Sequence, residues 1–302
     1  MQMKLRYSIC RFAWVPFWFT LLALMLLPHV ALAQGSEIET LRHQAEQGNA
    51  AAQFVLGFMY EDGRGVPQNP ATAVRWYRAA AEQGNADAQF NLGVMYANGR
   101  GVPQNHATAA RWFRAAAERG DAAAQWDLGS RYAHGLGVRQ NDAAAVRWFR
   151  AAAEQGLAGA QQSLGFMYAN GRGVPQNHAA AVRWYRSAAE QGNAGAQFNL
   201  GVMYANGRGV PQNHATAGRW FRAAAEQGDA GSQHNLGLFY TLGRGVSRNL
   251  VSGHMWVNLA AAKGWVRSAE LRERIASQMT TAEIAQAQRR ASACSASNYR
   301  KC

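Results

Sequence analysis

Ala88-Gln89-Phe90-Asn91-Leu92-Gly93-Val94-Met95-Tyr96-Ala97-Asn98-Gly99-Arg100-Gly101-Val102-Pro103-Gln104-Asn105 is followed by a run ending Trp112-Phe113-Arg114-Ala115-Ala116-Ala117, and the pattern returns every 36 residues. Trp recurs at 76, 112, 148, 184, 220 and 256, and Leu-Gly at 56, 92, 128, 164, 200 and 236. Tyr60, Tyr96, Tyr132, Tyr168, Tyr204 and Tyr240 keep the same register, as do Asn69, Asn105, Asn141, Asn177, Asn213 and Asn249. Segments 85–120 and 193–228 are almost the same sequence, the mark of internal duplication.

Each unit reads as two helices. Ala88, Leu92 and Tyr96 fall on one face of the first. Gly93 beside that face leaves room for a partner helix. Asn98-Gly99 stops the helix, because glycine tolerates the left-handed conformation at that end. Asn105 is an N-cap for the second helix, and in the first unit Asn69 is followed by Pro70, which suits a first helical position. In the second helix Ala109, Trp112 and Ala116 are expected to form the inward stripe. Connections this short make consecutive helices antiparallel neighbours, and each pair leaves apolar surface that only another pair can cover. The expected fold is all-α: a right-handed α/α superhelical solenoid of stacked antiparallel helix pairs.

The pattern A-x-A-Q-x-x-L-G-x-x-Y-x-x-G-x-G-V, then N, A-x-x-W and A-A-x-x-G, resembles the Sel1-like repeat, a relative of the tetratricopeptide repeat. Six units are counted over 49–264: 49–84, 85–120, 121–156, 157–192, 193–228 and 229–264. The resemblance implies a superhelix whose usual role is to bind other proteins, often at a bacterial envelope or host interface. The third unit departs from the loop pattern at His134-Gly135-Leu136-Gly137. The sixth lacks the Pro and has Met255 in place of the Arg beside Trp.

The ends read differently. Lys4, Arg6 and Arg11 precede an apolar run from Phe12 to Leu27, and Ala31-Leu32-Ala33 closes it. This is the pattern of a secretory signal peptide over 1–33 with cleavage after Ala33; an uncleaved membrane anchor is the alternative, and membrane contact is expected only through it. The expected location is periplasmic or secreted. Residues 34–48 are expected to hold a capping helix, from Glu37 to Gln47. Residues 265–302 are expected to hold charged capping helices and a tail, with a capping box at Thr280-Thr281-Ala282-Glu283 opening the last helix, 282 to about 293. Cys294 and Cys302 form an even pair in an oxidising compartment and are expected to be disulfide-bonded, with free thiols as the alternative.

Net charge is +13, of which Lys4, Arg6 and Arg11 supply three. The remaining cations are nearly all Arg, placed once or twice per unit, such as Arg111 and Arg114. They fit either a basic stripe for an anionic ligand or the construction of the repeat itself. No nucleic-acid partner is expected of an exported chain. No H-E-x-x-H, Walker-type loop, G-x-S-x-G or S-x-x-K occurs, so no catalytic residue, cofactor site or metal site is assigned and the protein is not expected to be an enzyme. Some cysteine-rich Sel1-like relatives are linked to penicillin binding or β-lactam hydrolysis, which makes a cell-wall or β-lactam hydrolase the alternative function. His106, His178 and His214 share one repeat position and should lie one or more units apart, too far to share a metal.

Matching L-G-x-x-Y to the tetratricopeptide repeat puts the opposite face of the first helix in the concave groove. Its positions vary from unit to unit while the structural ones do not. Phe54, Phe90, Asn91, Trp126, Asp127, Phe198, Asn199 and Asn235 are the candidate partner-binding residues. Aromatic anchors flanked by short amides suit a protein or peptide partner, bound by a monomer; a peptidoglycan- or glycan-binding scaffold fits the same face. The aromatics could instead pack between neighbouring units.

Overall fold

The structure is a computed structural model that describes residues 27–299 and 302. Among the described residues it contains fifteen α-helices and no strand. Helix α1 (Leu27–Glu46) precedes six helix pairs. These are α2 (Ala50–Asp62) with α3 (Pro70–Glu82), α4 (Ala86–Asn98) with α5 (His106–Glu118), and α6 (Ala122–His134) with α7 (Asp142–Glu154). They continue as α8 (Ala158–Asn170) with α9 (His178–Glu190), α10 (Ala194–Asn206) with α11 (His214–Ala225), and α12 (Ala230–Leu242) with α13 (Leu250–Ala262). Helices α14 (Val266–Ala276) and α15 (Thr281–Ala296) both pack on α13. Each second helix also packs on the first helix of the following pair, so the chain is an all-α solenoid.

Local chemistry sets the helix ends. The side-chain oxygens of Asn49, Asn85, Asp121, Asn193 and Asp229 accept from backbone N–H groups at the starts of the first helices. Asn69, Asn105, Asn141, Asn177, Asn213 and Asn249 do the same for the second helices. Leu157, ahead of α8, makes no such bond. Gly99 ends α4 at φ 68°, its N–H bonding to the Met95 carbonyl. Gly101, at φ 71°, has a second task. A Cβ there would collide with the carbonyl group of Pro70 and lie 2.8 Å from Ala71 N, so the loop rests directly on the backbone of the preceding pair.

The inward stripe of the second helix is centred one residue later than the sequence pattern suggests. In α5 the buried residues are Ala109, Ala110, Phe113, Ala116 and Ala117, whereas Trp112 is half-buried. The cause lies across the pair: a Cβ on Gly93 would sit 2.9 Å from the Phe113 ring, so the missing side chain is the socket for that ring. Gly57 and Tyr77, Gly129 and Phe149, Gly165 and Tyr185, and Gly201 and Phe221 repeat the arrangement. Trp112 lies beside it, packed with Tyr96 and Val102 against the cluster of Leu92 and Met95.

Two polar ties join successive pairs. The buried Gln89 donates from Nε2 to the Ala81 carbonyl at the end of α3 (3.0 Å), and Gln53, Gln125, Gln161, Gln197 and Gln233 bond equivalently. In four units its Oε1 accepts from a glutamine of the same pair, as with Gln155 to Gln125 at 2.8 Å. The second tie runs from Arg114 to the Tyr132 hydroxyl (2.6 Å), with Arg78 to Tyr96, Arg150 to Tyr168, Arg186 to Tyr204 and Arg222 to Tyr240 alike. Of the ten arginines that flank Trp76, Trp112, Trp148, Trp184 and Trp220, five therefore make this tie, and the other five, Arg75, Arg111, Arg147, Arg183 and Arg219, are exposed.

Arg119 occupies the glutamine position in the second unit, and the buried Oε1 of Gln89 has no partner there. Arg119→Gln should supply the donor and raise stability by about 1 kcal/mol, read as a higher denaturant midpoint. An unchanged or lower midpoint would show that Gln89 does not need the bond.

The ends modify the pattern. Met255 replaces the exposed arginine because α15 covers that side of α13; it is fully buried, and Arg290 on α15 donates to Ser252. The capping box of Thr280 and Glu283 is formed, and α15 runs Thr281–Ala296. Helix α1 starts at Leu27 rather than Glu37 and passes through the expected cleavage site. Residues 1–26 of the expected signal segment lie outside the described residues. Among the described residues no helix is long and apolar enough to cross a membrane.

Candidate functional site

Helices α2, α4, α6, α8, α10 and α12 each bury the Leu-Gly pair of the repeat, with the glycine against the second helix, and the positions that vary between units lie on the same helices. Phe54, Phe90, Asn91, Trp126, Asp127, Phe198, Asn199 and Asn235 are all half-buried. The aromatic ones pack inward as well as facing out. Ring centroids lie 5.9 Å apart for Phe54 and Tyr77, 5.6 Å for Phe90 and Phe113, and 6.1 Å for Phe198 and Phe221. They also bridge neighbouring first helices. A Cβ on Gly231 would lie 3.0 Å from the Phe198 ring, and the Trp126 indole N–H donates to Ser163 Oγ on α8 at 3.1 Å. Side chains of this position thus contribute to unit-to-unit packing and keep part of their surface in solvent. Asn235 is less available, since its Nδ2 bonds the Gly231 carbonyl of its own helix at 2.9 Å.

The third unit carries a charged pair that the repeat pattern hides. Arg131 stands where Met95, Met167 and Met203 stand in other units, and it is only 7% exposed. Its guanidinium lies 4.6 Å from the Phe113 ring centroid, and burial lowers its pKa, opposed by Asp127. Burial pushes the Asp127 carboxyl up to about 6, with Arg131 pulling the other way and Asp121 adding a smaller upward push. An arginine at an apolar repeat position was the available signal, visible only by comparing each position across units.

A cavity of about 220 Å³ opens between α6 and α8, with Asn199 of α10 also lining it. Trp126, Phe149, Phe166 and Met167 supply its apolar surface, and His134, Gln162, Ser163, Arg172 and Asn199 its polar surface. Phe166 is 45% exposed. Arg172 is held by Asp142 at 2.7 Å. Of the candidate residues, the structure brings Trp126 and Asn199 together here. His134, Phe166 and Arg172 were not singled out as candidates; Phe166 and His134 differ from the second and fifth units at the same positions.

His106, His178 and His214 each begin a separate second helix. Among the described residues no group of three or more His, Cys, Asp or Glu side chains is placed to hold a metal ion. Cys294, buried on α15, and Cys302 are brought into bonding contact, with Cα atoms 4.7 Å apart.

The Sel1 repeat family model matches residues 50–85, 86–121, 122–157, 158–193, 194–229 and 230–265, each one residue later than the units counted above. No curated protein sequence matches the chain. Among solved structures it is similar to c5321, a protective antigen present in uropathogenic Escherichia coli strains, which displays an SLR fold. Identity is 38% and the TM-score 0.77 over 83% of this chain; the chain spans 54% of that protein's length. A Sel1 repeat protein from Oxalobacter formigenes is 34% identical with a TM-score of 0.65, over 76% of this chain and 96% of its own. With six matched repeats, the socket and tie geometry repeated from pair to pair and these structural likenesses, the chain belongs to the Sel1 repeat family.

Proposed function

We propose that the protein is an exported, non-catalytic scaffold that binds a protein or peptide partner along the face of its first helices. The Sel1 repeat is a scaffold fold that typically mediates protein interactions, and its solenoids are generally not catalytic. The observation that carries the proposal is the division of labour within each unit. Gln89, Leu92, Gly93 and Tyr96 and their copies make the ties and sockets, whereas the half-buried face positions change from Phe90 to Trp126 to Gln162. Export is supported by the n-region, apolar run and Ala31-Leu32-Ala33, and by Cys294 and Cys302 lying within bonding contact, as an oxidising compartment would allow. On this reading 1–33 is the signal segment, 34–48 caps the first unit, 49–264 is the scaffold and 265–302 closes it.

The test is affinity capture from periplasmic extract and culture medium, with the wild-type protein and the Trp126→Ala/Phe198→Ala double variant side by side. The expected result is a partner held by the wild type and weakened at least about tenfold in the variant, with the helical circular dichroism retained. A partner bound equally by both would sink the assignment of this face.

A further inference from the structure

We infer that the cavity between α6 and α8 is an anchor pocket for one aromatic side chain of an extended peptide, the position along the binding face that sets specificity. This rests on the proposed binding function and deepens it. Its starting point is where the units differ. The second and fifth units present the same side chains on this face: Phe90, Asn91 and Val94 on α4, and Phe198, Asn199 and Val202 on α10. Between these matching flanks the face reads Trp126, Asp127 and Ser130 on α6 and Gln162, Ser163 and Phe166 on α8, while the outer units differ again, with Phe54, Val55 and Phe58 in the first and His234, Asn235 and Leu238 in the sixth. The cavity lies between α6 and α8.

Its size and lining select the occupant. A volume of about 220 Å³ is below the ~300–1,000 Å³ of sites that enclose a small molecule or cofactor, and suits a single large side chain. Phe149 and Met167, both buried in the core of the third and fourth units, line the cavity, so an inserted group meets a packed apolar surface there. Trp126 and the exposed Phe166 ring stand at its side, where a planar ring stacks better than a branched aliphatic chain. The indole is held in place by Ser163, whose own hydroxyl donates to the Gly159 carbonyl at 2.8 Å, so the wall is pre-formed. Gln162 and Asn199 at the polar margin offer both donors and acceptors, which match peptide N–H and C=O groups on either side of the anchor. Gly159 also lines the cavity, and a Cβ there would meet the Trp126 indole at an ordinary 3.5 Å, so a larger side chain at this position would project beside the indole without a backbone clash.

The experiment follows the Trp126 Nε1–H resonance of the purified protein by NMR, assigned from its loss in Trp126→Phe. The probes are N-acetyl-L-tyrosinamide, N-acetyl-L-leucinamide and N-acetylglucosamine. A saturable shift with the tyrosine amide is expected, at least about fivefold weaker binding of the leucine amide, and no response to the sugar. Gly159→Leu should abolish the shift with the melting temperature unchanged. If that variant is destabilised, Phe166→Ala, which trims an exposed ring, should still weaken the tyrosine amide by about threefold or more. No saturable shift, a stronger response to the sugar, or full binding by Gly159→Leu and Phe166→Ala would overturn the inference. A captured partner that binds Gly159→Leu as well as wild type would sink the pocket and leave the proposed function standing. Tyrosine-amide binding without any captured partner would do the reverse.

Discussion

Gly101→Ala is expected to destabilise the protein by about 2–5 kcal/mol. Two separate costs add. Residue 101 has φ 71°, a conformation that costs a residue with Cβ about 1–2 kcal/mol. The new methyl would also be driven into the Pro70 carbonyl group and to 2.8 Å from Ala71 N, atoms of a helix backbone that cannot swing aside as a side chain can. Gly120→Ala separates the two costs. Gly120 has φ 94° but nothing within 4 Å of an added Cβ, so it should lose only the conformational part. Denaturant unfolding of both variants reads the difference. Equal losses would mean that the contact between successive pairs yields to a methyl group and that the glycine is needed for its turn alone.

Phe113→Ala should cost about 3–5 kcal/mol, the usual range for truncating a buried aromatic residue. The ring fills the socket left by Gly93, meets Phe90 and lies under the Arg131 guanidinium. Its removal therefore leaves both a cavity and a buried cation without its aromatic face. Trp112→Ala, at a half-buried site, should cost less even though it deletes a larger side chain. The reverse order would restore Trp112 as the centre of the inward stripe. Both variants are best compared by chemical denaturation, which reports stability independently of any bound partner.

The contrast between those two residues explains what could be read from the sequence. Helix ends were legible because they are local: Asn105 needs only its own backbone to act as a cap, and Gly99 only its own φ. The stacking of pairs was legible from the strict period. Trp112 and Phe113 were not separable in this way, because α5 is rich in alanine and both neighbours look apolar. What decides between them is Gly93 on another helix, an absence of side chain whose meaning depends on what is opposite. The role of Gln89 was hidden for a related reason: a glutamine reads as polar surface until the carbonyl of Ala81 is placed beside it. In the candidate face, the positions were legible as those that vary between units. Their double duty was not, since Phe198 covering Gly231 and Trp126 reaching Ser163 are contacts across a whole repeat length. Arg131 stands out only when the position of Met95 is compared across units, and Phe166 only once the cavity it lines is seen, since Phe58 holds the same position in the first unit.

The ties from Arg114 to Tyr132 and from Gln89 to Ala81 recur at successive joints, and each connects only adjacent pairs. Such a chain has no single hinge. Small changes of angle at successive joints add up, so bending and twisting are spread along the stack and not confined to one place. A load applied at the two ends would be shared among the joints, and the spacing between side chains on neighbouring first helices would change a little at each.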